Sequence, residues 1–124
     1  MLAATASASV AAGWARPNRL ASAAGATIPL CHGGNLDNQE LTAGSTLFLP
    51  AFNPGAGFSV GDGHAVQDDG EVCVTAFEAA LSGTFELVIR KRAALATPRA
   101  ETPTHVITKG IDSSLDGAAK QALR

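Results

Sequence analysis

Glu71-Val-Cys-Val-Thr-Ala-Phe77, the turn Leu81-Ser-Gly83 and the return Thr84-Phe-Glu-Leu-Val-Ile-Arg90 decide the fold class. β-Branched and aromatic residues fill both arms, and such residues suit a pleated, half-buried surface. Joined by a short Gly-containing turn, the arms read as antiparallel partner strands. Upstream, Ser45-Thr-Leu-Phe-Leu49 reads as a strand stopped by Pro50, Asn53–Gly57 as a loop, and Phe58-Ser-Val60 as a second short strand. Downstream, Lys91–Pro103 reads as a long connection and Thr104-His-Val-Ile-Thr108 as a further strand. Ser113, with Asp116 three residues on, has capping-box spacing for a closing helix; Leu115, Ala119, Ala122 and Leu123 would form its packing face. Short strands separated by Gly and Pro turns predict a mainly β fold, an antiparallel sandwich-like arrangement with a C-terminal α-helix.

The chain has 124 residues, 46% of them hydrophobic and 16% charged, with a net charge of −2. That length suits one domain. The balance excludes a disordered solvating tail and does not favour a nucleic-acid partner, which calls for a basic patch. No apolar run approaches the roughly 18 residues of a transmembrane helix, so no membrane partner is expected and a cytoplasmic location is. Cys31 and Cys73 make no disulfide framework or Cys-x-x-Cys pair; Cys73 reads as a small buried hydrophobe. Residues 1–26 differ from the rest: alanine supplies 11 of them, and Arg16 and Arg19 follow the apolar stretch instead of preceding it. That order argues against a secretory signal. The expected division is an Ala/Ser-rich, poorly ordered leader over 1–26, with transit-segment and start-site readings open, and a domain over 27–124.

Polar chemistry concentrates between Gly33 and Glu78. Gly33-Gly-Asn-Leu-Asp37 sets two oxygen-bearing side chains after a Gly pair, and Gly61-Asp-Gly-His-Ala-Val-Gln-Asp-Asp-Gly-Glu71 crowds acids, one His and one Gln among glycines. Zn²⁺ takes a few His, Asp or Glu ligands with one position open for water. Asp37, Asp62, His64 and Glu71 have the right types, and a carboxylate off the metal would serve as general base. The alternative is a solvated acidic loop with a surface histidine. His32 would cap a turn, and His105, beside Val106 and Ile107, would be a hydrogen-bonded core residue.

Taken together, Gly33-Gly-Asn-Leu-Asp-Asn-Gln-Glu-Leu-Thr-Ala-Gly-Ser-Thr-Leu-Phe-Leu-Pro50, Phe58 to Glu78 and Glu101-Thr-Pro-Thr-His-Val-Ile-Thr-Lys-Gly110 resemble the acetamidase/formamidase family. The resemblance runs from Pro29 to Arg124 and leaves out the Ala-rich start. It implies hydrolysis of short linear amides, such as formamide or acetamide, to a carboxylate and ammonia by a metal-activated water. It also implies a divalent ion, zinc or calcium, held by Asp37, Asp62 and His64. Glu71 would deprotonate the attacking water, with Asp69 and Asn35 as further catalytic candidates; Asn35 or Gln67 would orient the amide, and His105 would be an outer substrate-binding residue. Two departures stand out. Asp68 replaces a family glycine, so either its Cβ strains a turn suited to positive φ or its carboxylate adds a like charge beside Asp69. Family members are also considerably longer, which implies a homo-oligomer or association with a missing half. The alternative is a truncated, non-catalytic relative that binds metal or a partner subunit.

Overall fold

The computed structural model describes residues 31–52, 58, 60–61, 63–69, 71, 75–91 and 95–124, together with the backbone of Val10 and Ala11. The rest of the Ala-rich start, the Asn53–Gly57 loop, Asp62 and Cys73 lie outside the described residues.

The fold is mainly antiparallel β with one C-terminal helix. The elements are β1 (Val10–Ala11), β2 (Gly33–Gly34), β3 (Thr46–Phe48), β4 (His64–Val66), β5 (Phe77–Glu78), β6 (Arg99–Glu101), β7 (Val106–Thr108) and α1 (Leu115–Ala122). They form a three-stranded sheet of order β3-β6-β7 and two pairs, β1-β2 and β4-β5.

The three-stranded sheet explains the core. Leu47 pairs with Ala100, and Ala100 with Ile107, so one row of side chains crosses all three strands on the same face. Ala100 is 2% exposed; the small central residue lets Leu36 and Leu41, each 5% exposed, pack down with Leu47 and Ile107 around them. Pro98 is fully buried just before β6. The central strand therefore lies inside Lys91–Pro103, the stretch read from sequence as a connection. Arg99 and Glu101 point to solvent and Ala100 inward, a period-2 pattern too short to stand out among charged neighbours.

Two other expectations are corrected. Thr84–Arg90 carries no strand, and Leu87, Val88 and Ile89 are exposed. A strand exists only where a neighbour completes its hydrogen bonds, and among the described residues no element pairs with this run. Its Arg90 guanidinium does lie 4.8 Å above the Phe48 ring. Likewise Glu71, Thr75 and Ala76 lie outside strands, and among the described residues of that stretch the pairing with β4 begins at Phe77.

The closing helix starts one residue later than capping-box spacing suggests. Asp112 accepts from the Ser114 N–H at 2.9 Å and from its hydroxyl at 3.0 Å, and the Ser114 Oγ accepts from Gly117 N–H at 3.1 Å. Ser114, not Ser113, is thus the N-cap. The packed side also differs. Leu115 and Leu123 are 86% and 88% exposed, while Gly117, Ala118, Gln121 and Ala122 are half-buried. This side sits against Gly110–Asp112: a Cβ on Gly110 would come 1.7 Å from the Ala118 carbonyl oxygen.

The Ser114 N–H, then its hydroxyl, hold the Asp112 carboxyl below its ordinary value of 3.8. A carboxyl depressed in the folded state adds stability that is present above the unfolded value and lost as pH falls through the folded one. Helical circular dichroism is therefore expected to fall on acidification below about pH 4, and Asp112→Asn to remove that part of the transition. An unchanged acid limb in the variant would refute this linkage. Among the described residues no helix is long and apolar enough to cross a membrane.

Candidate functional site

Two loops converge beside the core. The first follows β2. Gly33 and Gly34 are buried with φ of 120° and 95°, values that glycine alone adopts readily. Three residues on, Asp37 holds φ at +41°. Aspartate tolerates this left-handed conformation better than most residues, yet it is still a cost of the kind that gathers at functional sites. Asn35 Nδ2 donates to Asp37 Oδ2 at 2.8 Å, fixing its carboxyl. Beyond it, Asn38 Oδ1 accepts from Glu40 N–H at 2.9 Å, and the Asn38 carbonyl from Leu41 N–H, which delivers Leu41 into the core.

The second loop leaves β4, whose first residue, His64, is 3% exposed. Gln67 joins the loops: its Nε2 donates to the Asp37 carbonyl, and its Oε1 faces His64 Nδ1 at 2.9 Å. Since Nε2 donates at one end, Oε1 must accept at the other, which assigns the proton to Nδ1. Gln67, expected to orient substrate, is a clamp between Asp37 and His64. Asp69, expected to be catalytic, is exposed and accepts from Gln39 Nε2 at 2.6 Å, a second tie between the loops. Asp68 does not occupy the left-handed region; its Oδ1 accepts from the Asp69 N–H at 2.8 Å. The strain expected at Asp68 lies instead at Asp37.

Glu71 faces this junction. Its Oε1 accepts from Thr75 N–H at 2.9 Å and lies 3.3 Å from the Thr75 hydroxyl, while Oε2 is buried without a hydrogen-bond donor among the described residues. The Thr75 N–H is the main reason the carboxyl is held below its ordinary range; burial opposes it, and the Asp37 carboxyl, the Thr75 hydroxyl and the His64 charge add to the lowering. The structure thus brings Asn35, Asp37, His64, Gln67 and Glu71 together. His105 is elsewhere: it is exposed in the turn between β6 and β7, with Nδ1 2.8 Å from Thr104 Oγ1.

Lys109, one residue beyond β7, is an unanticipated member. Its half-buried ammonium donates to the Leu36 carbonyl at 2.8 Å. Burial pushes its pKa down and the Asp37 charge pushes it back up. It borders a cleft of about 310 Å³, lined also by Leu36, Gly110, Ile111 and Asp112. Lysine after a strand ordinarily reads as solvated; the only sequence signal was its place in Glu101–Gly110.

The metal expectation names Asp37, Asp62 and His64. Asp37 and His64 are neighbours across Gln67, but among the described residues no three His, Cys, Asp or Glu side chains are placed to hold a metal ion, and Asp62 is outside them.

This constellation occurs in segments with known counterparts. The sequence model of the acetamidase/formamidase family matches residues 2–114. The chain belongs to that family. The matched range takes in the Ala-rich start, which the motifs alone did not reach. A protein of Schizosaccharomyces pombe named "Putative formamidase" is 46% identical over 61 residues, 48% of this chain and 15% of that protein. A formamidase of Methylophilus methylotrophus is 46% identical over 44 residues, 36% of this chain and 11% of its own length. The chain therefore matches only a small part of these acetamidase/formamidase relatives. No solved structure matches it.

Proposed function

We propose that this chain carries the acid–base part of an amide-hydrolase site acting on short linear amides such as formamide and acetamide. The observation that supports it best is Glu71: a carboxyl held below its ordinary range, with one buried oxygen that has no hydrogen-bond donor among the described residues, beside Asp37 and the buried His64. A buried acceptor left open is costly unless something polar fills it, and a water molecule there would find Glu71 ready to take its proton. The water oxygen would form the new C–O bond as Glu71 accepts the proton. The C–N bond then breaks as that proton passes to the nitrogen, releasing ammonia and the carboxylic acid, which ionises to carboxylate. Asn35 and Gln67 hold Asp37 and His64 in place for this. Exposed Phe77, Leu87, Val88 and Ile89 support association with a second copy or another chain.

The test is ammonia release from formamide and acetamide by the purified chain. Release above the uncatalysed background supports the reading; none from folded protein overturns it in favour of a non-catalytic module. The further proposal of a zinc or calcium ion, with Asp62 joining Asp37 and His64, rests on the donor types in the two loops. Release lost in EDTA and restored by either ion supports it, and release indifferent to EDTA removes it.

A further inference from the structure

Lys109 places a cation where the mechanism above has none. An ammonium has three N–H donors. Leu36 takes one, and among the described residues Lys109 makes no other hydrogen bond. The side chain borders the cleft of about 310 Å³, whose apolar walls are Leu36 and Ile111. Holding an ammonium half-buried is unfavourable unless its donors are used. Asp37, the residue that meets Glu71, is also the carboxylate whose charge acts on Lys109. Lys109 thus stands between the cleft and Asp37, the neighbour of Glu71, and the cleft offers a short, flat ligand an oxygen-binding ammonium with a hydrocarbon wall beside it and Asp112 at its edge.

Resting on the amide-hydrolase reading, we propose that Lys109 is a catalytic residue that binds the carbonyl oxygen of an aliphatic amide whose alkyl group lies against Leu36 and Ile111. As water attacks, the carbonyl electron pair moves onto that oxygen, and the ammonium meets the charge where it develops. When the C–N bond breaks, the pair returns to re-form the carbonyl. At about 310 Å³ the cleft stands at the small end of ligand pockets, and it favours amides with a few carbons over formamide.

Acetamide and butyramide titrated into the ¹⁵N-labelled chain, alongside steady-state kinetics, test this. In the wild type the Gly110 and Ile111 amide signals are expected to shift, more at a given concentration with butyramide. Lys109→Met is expected to abolish those shifts while the rest of its spectrum stays in place, and to lower kcat by about 10²–10³-fold. Lys109→Arg is expected to restore part of both, which a merely structural role would not require; Lys109→Gln replaces the methionine variant if that one does not fold. Binding or turnover retained in the neutral variants overturns the assignment and leaves amide hydrolysis standing. Wild-type binding at Gly110 and Ile111, lost in the neutral variants but without ammonia release, does the reverse.

Discussion

Glu71→Gln is expected to lower kcat for acetamide by about 10²-fold, the modest end of the range for a positioned general base, with the fold intact. Glutamine matches glutamate in shape, and its carbonyl oxygen can still accept from the Thr75 N–H that Glu71 Oε1 receives at 2.9 Å. What is lost is the ability to take a proton. The effect is at the low end because the surroundings of Glu71 hold its pKa down, and a weaker base gains less from proton transfer. The pH profile carries the sharper test. A base works ionised, so kcat/KM falls as pH drops through its pKa; for Glu71 that limb lies below the ordinary value of 4.5. A limb above the carboxylate range would point to a different base. Thermal unfolding of both proteins separates a chemical from a folding defect. Such a limb, or full activity in the glutamine variant, would remove Glu71 from the role.

The contrast between Glu71 and Asp69 shows how far the sequence could be read. Gly33–Asp37 and Gly61–Glu71 were legible as candidate converging loops because glycines let the backbone bend clustered polar side chains together, with a solvated loop as the alternative, and the structure joins them through Gln67 to Asp37 and Gln39 to Asp69. Which side chain does what was not legible. Asp69 and Gln67 are as polar as Glu71, but their hydrogen bonds go to holding one loop against the other. Only three-dimensional pairing distinguishes a tie from an open acceptor. The strain was legible in kind and misplaced: the glycine-to-aspartate departure drew attention to Asp68, whereas the positive φ is at Asp37.

The same limit explains the strands. Ser45–Leu49 and Thr104–Thr108 contain β3 and β7 because their own residues suit a sheet. Thr84–Arg90 suits one better, yet it pairs with no element among the described residues, and Arg99–Glu101 suits one poorly, yet it is central. Pairing is a property of two segments, and β-propensity measures packing against neighbours more than any preference of the chain itself. Lys109 escaped notice for a related reason: its meaning comes from the Leu36 carbonyl, 73 residues away.

The site's dependence on a small core makes Leu41→Ala the largest expected effect on stability. Among the described residues the buried hydrophobics are Leu36, Leu41 and Ala100, with Leu47 and Ile107 packed against them. Truncating a buried leucine costs about 2–5 kcal/mol through lost transfer energy and the cavity left behind. Against a total of about 5–15 kcal/mol for a typical domain, that is a large share of the stability. Leu41 is the right probe because it belongs to the core and does not line the cleft, so its loss reports on support of the site rather than on ligand contact. It also ends the turn that starts at Asn38, next to the strained Asp37. The matched control is Leu115→Ala on the exposed side of α1, where 86% exposure predicts a change within about 0.5 kcal/mol. Urea unfolding followed by circular dichroism compares the two. A Leu41→Ala cost no greater than that of Leu115→Ala would mean that the row Leu47, Ala100 and Ile107 is held by something other than the leucines beneath it. The strained Asp37 turn would then draw its support from polar ties such as Asn35 to Asp37, Gln67 to the Asp37 carbonyl and Lys109 to the Leu36 carbonyl, hydrogen bonds worth about 1 kcal/mol each.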